Sequence, residues 1–96
     1  MGFYSLAEEG PRLRLVDLWV LPEAMGKGVG RRLFDHALDR AKLRGFDALD
    51  IESDPDAEGF YLRMGAHRIG TKATEVERQK RELPLLICKT RAASGR

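Results

Sequence analysis

The sequence predicts an α/β fold in which one mixed sheet is built from elements in the order β-β-α-β-α-β-β. Three observations predict it. An apolar run at residues 13–20 (LRLVDLWV) passes through a glycine-rich turn straight into a segment with helical periodicity. A second apolar run, residues 46–53 (FDALDIES), follows that segment after a short link, and strand, crossover helix and strand joined this tightly run parallel. Strand-like pairs on either side of this unit, each broken by turn residues, add antiparallel hairpins.

Taken in order, residues 2–7 (GFYSLA) lead into Glu8-Glu9-Gly10-Pro11, whose composition is that of a turn, so residues 3–8 and 12–20 form a β-hairpin. Leu13, Leu15, Val16, Leu18, Trp19 and Val20 are too continuous for a strand with one wet face, which predicts a central strand covered on both faces. Pro22 closes it. Val29, Leu33, Phe34, Ala37, Leu38 and Ala41 then follow the helical period, with Arg31, Arg32, Asp35, Asp39, Arg40 and Lys42 on the other face. Gly45 occupies the place of a left-handed C-cap, and Leu49 and Ile51 share one face of the next strand. Asp54-Pro55 starts a second helix, with Asp54 as N-cap; Ala57, Phe60, Tyr61 and Met64 lie on its apolar side and Gly65 ends it. Residues 66–77 and 83–90 are two further strands joined by a charged turn at 78–82, with Pro84 near a strand start. The sequence is expected to be one domain, 1–96, with a disordered tail at 91–96.

Composition narrows the function. A hydrophobic share of 43% and a charged share of 33% are those of a soluble globular protein, and a formal charge of +2 does not point to nucleic acid. The dense basic run Arg78-Gln79-Lys80-Arg81 contains no aromatic residue to stack on a base and reads as a solvated hairpin tip. Cys88 is the sole cysteine and lies in an apolar run, so it reads as a buried, inert thiol; a reducing cytoplasm is expected. No signal peptide and no membrane association are expected, since residues 1–96 hold no apolar stretch long enough to span a bilayer and Leu6 stands where a myristoylation signal needs Ser or Thr. His36 and His67 read as surface residues.

The turn EAMGKGVG carries the chemistry. Gly26, Gly28 and Gly30 leave main-chain N–H groups uncovered where the helix starts, and the helix dipole places partial positive charge there. A phosphate or diphosphate is the natural ligand, with Lys27, Arg31 and Arg32 adding full charges. It is not a P-loop, because Lys27 is followed by Gly28 and not by the Mg²⁺-binding Ser or Thr. It is a poor dinucleotide fingerprint, because Arg31 replaces the last glycine of GxGxxG.

PEAMGKGVGRRLFDHAL, then RGFDALDIES, then DPDAEGFYLRMGA resembles the acetyl-CoA-binding half of the GNAT acyltransferase superfamily. The family's loop, Gln/Arg-x-x-Gly-x-Gly/Ala opening a helix, is matched by Gly28-Val29-Gly30, with Met25 in the place of Gln or Arg. Its later motif, Asn-x-x-Ala-x-x-Phe-Tyr-x-x-x-Gly-Phe, is echoed with a shift in spacing by Asp56-Ala57-Glu58-Gly59-Phe60-Tyr61 and Met64-Gly65-Ala66.

The resemblance implies an acyl-CoA N-acyltransferase-like fold, truncated at its N-terminus, since family members carry two strands and two helices ahead of the opening hairpin. It implies that strands 13–20 and 47–53 splay apart to admit the pantetheine arm of acetyl-CoA along Trp19, Val20 and Leu21. The diphosphate would rest on Met25, Gly26, Lys27, Gly28, Val29, Gly30, Arg31 and Arg32. An amine acceptor would attack the thioester directly, without metal, while Tyr61 protonates the leaving thiolate. Asp17 is the only acid in residues 13–20 and the candidate base, although Arg14 falls nearer the family's usual position. The alternative is a CoA-binding module without turnover. Residues 3–8, left as an aromatic sheet edge, predict a homodimer.

Overall fold

The computed structural model describes residues 2–90. Its elements are β1 (Gly2–Glu9), β2 (Arg12–Val20), α1 (Val29–Leu43), β3 (Ala48–Glu52), α2 (Glu58–Arg63), β4 (His67–Val76) and β5 (Gln79–Lys89), in the expected order β-β-α-β-α-β-β. They form one five-stranded mixed sheet ordered β1-β2-β3-β5-β4, parallel at β2–β3 and antiparallel elsewhere. The expected tail at 91–96 lies outside the described residues. No helix among those residues is long and apolar enough to cross a membrane.

One face of the sheet carries the core. Phe34, Ala37, Leu38 and Ala41 of α1 bury against Leu13, Leu15, Leu49, Ile51 and Leu86. A fully buried side chain such as that of Phe34 contributes about 1.5–3 kcal/mol through removal of apolar surface from water. Two glycines stop the helices by the same device. Gly45 (φ 88°) donates to Lys42 O and Phe46 to Ala41 O, while Gly65 (φ 101°) donates to Leu62 O and Ala66 to Tyr61 O, each pair closing a Schellman motif.

The expectation that β2 is covered on both faces is corrected. Helix α1 lies on one face only, and Val16 and Trp19 are exposed. The apolar run is continuous for another reason. Ser5 pairs with Asp17 and Leu6 with Leu15, so Val16 is an extra residue, a β-bulge. The bulge moves the alternation by one position, returning Leu18 to the helix face beside Leu15 and turning Asp17 and Trp19 to the other face.

Three boundaries also differ. Pro55–Ala57 forms a 3₁₀ turn, α2 starts at Glu58, and the Asp54 side chain makes no cap bond. Pro84 sits well inside β5 beside the ladder irregularity between Arg68 and Gly70, where its missing N–H costs little, and its carbonyl accepts from Ser53 N at 2.9 Å. The last turn is Glu77-Arg78 and not 78–82, because the ladder continues through Val76↔Gln79 and sets Glu75 opposite Lys80.

That turn is strained. Glu77 and Arg78 both adopt positive φ (51° and 67°), as a tight hairpin turn demands, without the Asn-Gly chemistry that suits it. Left-handed backbone costs a non-glycine residue about 1–2 kcal/mol. Replacing the pair by Asn-Gly should therefore raise the melting temperature by about 5 °C or more in a thermal unfolding experiment.

Candidate functional site

The site grows from how briefly β2 and β3 stay together. They pair at only three positions, Leu13↔Leu49, Arg14↔Asp50 and Leu15↔Ile51. Beyond Leu15, β2 runs on to Val20 with β1 along one edge, while β3 ends at Glu52 and the chain turns away. The other edge of residues 16–20 thus faces a wedge with no strand to pair with. Helices α1 and α2 wall this wedge, leaving a cavity of about 510 Å³ bounded by Leu18, Trp19, Val20, the loop before α1, Phe60 and Tyr61.

The loop is shaped by Pro22–Ala24, a 3₁₀ turn that Met25 N closes onto Pro22 O at 3.2 Å. Gly26 (φ 80°) and Gly28 (φ 77°) then take left-handed backbone, and Gly28 is the N-cap of α1. A Cβ on either would meet nothing within 4 Å, so the space above the loop is open. Gly30 differs: a Cβ there would lie 3.5 Å from the Phe60 ring, in ordinary contact, so this position is packed between α1 and α2 and not open.

The first main-chain bond of α1 is Arg32 N to Gly28 O at 3.1 Å. No side chain caps the start of α1, and its first turn holds no acid. The amides of the first turn, which a helix leaves without main-chain partners, therefore lie at the positive end of a 15-residue helix whose first residues, Val29, Gly30 and Arg31, line the cavity. Lys27, Arg31 and Arg32 are exposed beside them and make no ion pair among the described residues.

Tyr61 forms the far wall. It is buried against Phe34 (ring centroids 5.7 Å apart) and Phe60 (5.3 Å). Burial pushes its phenol above the ordinary value of 10, and the charge of Asp54 pushes in the same direction. The group is therefore a proton donor across the neutral range. Asp54 also has a second place in the sequence pattern. Counted back from Ala57, it stands at the Asn position of the Asn-x-x-Ala motif, so the motif needs no shift in spacing. That count was the available signal.

The structure brings together Trp19, Val20, Met25, Gly26, Gly28, Val29, Gly30, Arg31 and Tyr61 around one cavity. Leu21, Lys27 and Arg32 lie beside it and not in its wall. Asp17 is on the opposite face of the sheet, exposed, its Oδ2 accepting from Ser5 Oγ at 3.0 Å. Arg14 is held by Glu9 (3.2 Å) and Glu52 (3.5 Å).

Comparison with known proteins bears on this geometry. Residues 1–66, more than half of the chain, match the model of the acetyltransferase (GNAT) family. Nourseothricin acetyltransferase superposes with a TM-score of 0.82 at 27% identity over 94% of this chain, which spans 58% of that protein. A Bacillus subtilis acetyltransferase in complex with CoA (TM-score 0.76, 20% identity) shares the fold over 92% of this chain and 68% of its own. So does an Elizabethkingia anophelis GNAT acetyltransferase with acetyl-CoA bound (TM-score 0.76, 16% identity, 92% and 67%). A glycine-rich strand–loop–helix junction beside a splayed parallel pair, matched over the first two thirds of the sequence, places this chain in the GNAT acetyltransferase family.

Proposed function

We propose that this protein binds acetyl-CoA in the wedge between β2 and β3 and transfers its acetyl group to an amine. One observation carries the reading: the unpartnered edge of β2, the glycine-rich start of α1 and the side chain of Tyr61 border a single cavity. Each part suits a different stretch of the cosubstrate. The amides, with Lys27, Arg31 and Arg32, suit the diphosphate. The free main chain of Trp19, Val20 and Leu21 suits the amide-bearing pantetheine arm, which can pair with it as a strand would. In the transfer, the acceptor nitrogen bonds to the thioester carbonyl carbon, the carbon–sulfur bond breaks, and Tyr61 gives its proton to the departing thiolate. The proton leaving the attacking nitrogen passes to solvent, since Asp17, the carboxylate expected as base, lies on the face of the sheet away from α1 and outside the cavity wall.

The second reading is a CoA-binding module without turnover. It draws on the separation of Asp17 from the cavity and on the engagement of Arg14 by Glu9 and Glu52. In either reading β1 is a sheet edge without a partner strand among the described residues, and we propose that a second copy of the chain covers it.

Calorimetric titration with acetyl-CoA should give one site per chain, and thiol detection should report free CoA on addition of amines. Binding without CoA release from any amine selects the second reading, and absence of binding removes both. Sedimentation velocity on the same sample should give a dimer; a monomer at micromolar concentration overturns the proposed pairing.

A further inference from the structure

The face of the sheet opposite α1 holds a group of side chains that the acetyl-CoA site does not use. Tyr4 and Leu6 point toward the helix, Tyr4 through a hydrogen bond with His36, so Phe3 and Ser5 point the other way. The register sets Phe3 opposite Trp19 and Ser5 opposite Asp17. The result is two adjacent cross-strand pairs on one face: an aromatic pair with centroids 5.9 Å apart, and a serine–carboxylate pair. Successive same-face positions on a strand lie ~7 Å apart, so a small molecule can touch both.

The chemistry of the pair is specific. Phe3 and Trp19 are about half exposed (53% and 49%), leaving ring surface available. Asp17 accepts only a neutral hydroxyl and makes no ion pair among the described residues, so its charge is not offset. Arg14, on the same strand, is already held by Glu9 and Glu52. Aromatic faces beside an uncompensated carboxylate attract an organic ammonium and repel an anion. Trp19 also borders the acetyl-CoA cavity, so a molecule seated here lies at the lip of the wedge.

Resting on the acetyltransfer reading above, we infer that the acceptor is an organic dication, an alkyl diamine or longer polyamine. One nitrogen enters the wedge and reacts. The other, non-reacting ammonium sits on Asp17, with the connecting methylenes against Phe3 and Trp19. Ser5 is a positioning residue that aims the carboxylate.

Trp19 is the only tryptophan in the sequence, so its fluorescence reports on the patch without any turnover. Titration of 1,5-diaminopentane should change that fluorescence at a concentration at least tenfold lower than n-pentylamine requires, and Asp17→Asn should erase the difference. With acetyl-CoA present, kcat/KM should favour the diamine tenfold or more, and Asp17→Asn or Phe3→Leu should reduce that preference mainly through KM. Equal fluorescence response to both amines overturns the inference. So does a loss in Asp17→Asn that falls equally on both amines and on kcat, since that is the behaviour of a base. Failure of acetyl-CoA to bind, seen by calorimetry, refutes the underlying reading instead, and the fluorescence result then stands or falls by itself.

Discussion

Gly28→Val should raise the dissociation constant for acetyl-CoA at least 100-fold while the protein still folds. The two consequences have separate causes. Gly28 holds φ at 77°, a conformation that costs an L residue about 1–2 kcal/mol and a β-branched one more, so stability should fall by roughly that amount. No clash adds to it, because nothing in the protein lies within 4 Å of the new Cβ. That same open space is where a diphosphate must approach the amides of residues 26–31, and a branched side chain occupies it. A 100-fold loss corresponds to about 2.7 kcal/mol, well within the worth of charge-assisted bonds to several amides. Gly45→Val is the matched control. It has the same handedness (φ 88°) and the same open surroundings, but it lies past the other end of α1. It should lower the melting temperature comparably and leave affinity unchanged. Calorimetric titration of both variants decides the matter: if Gly28→Val binds within threefold of the parent, these amides do not hold the diphosphate.

Why the glycines could be read from the sequence, and other features could not, comes down to the range of the forces involved. Gly45 and Gly65 end helices through bonds reaching back only a few residues, so local periodicity placed both. Gly28 could be placed at the start of α1 for the same reason, since the loop and the helix it caps are contiguous. The bulge at Val16 is set by pairing with β1, and nothing in LRLVDLWV distinguishes a bulged strand from one buried on both faces. One unseen residue of register was enough to hide which face Asp17 occupies, and with it the grouping with Phe3, Ser5 and Trp19. The turn at Glu77-Arg78 was hidden because its residue types argue against positive φ; the flanking ladder imposes that conformation. At Pro55 the sequence was compatible with either helix type, a proline fitting the first turn of both, and the side chain of Asp54 is not used as a cap.

Tyr61→Phe should reduce kcat by roughly 10²–10⁴-fold, the usual worth of a positioned proton donor, with acetyl-CoA affinity unchanged within twofold. The substitution is structurally mild. Phenylalanine preserves the ring contacts with Phe34 and Phe60, and the hydroxyl makes no hydrogen bond among the described residues that would be left broken. A rate loss therefore reports chemistry and not packing. The pH dependence sharpens the test. Burial, and secondarily the charge of Asp54, raise the phenol above its ordinary value, so in the parent protein the donor stays protonated across the neutral range and any rate loss from its ionisation is confined to alkaline pH. The sign for stability is the same: the neutral phenol favoured by the folded state contributes fully below pH 10, and that contribution is lost as pH rises through the folded value. Asp54→Asn removes one of the two causes opposing the phenolate, so the alkaline limb of the rate profile should move to lower pH, while burial keeps it from disappearing. The Tyr61→Phe variant should show no such limb at all. A profile identical in parent and Tyr61→Phe, with kcat unchanged, would leave the thiolate to take its proton from water and reduce Tyr61 to a wall of the cavity.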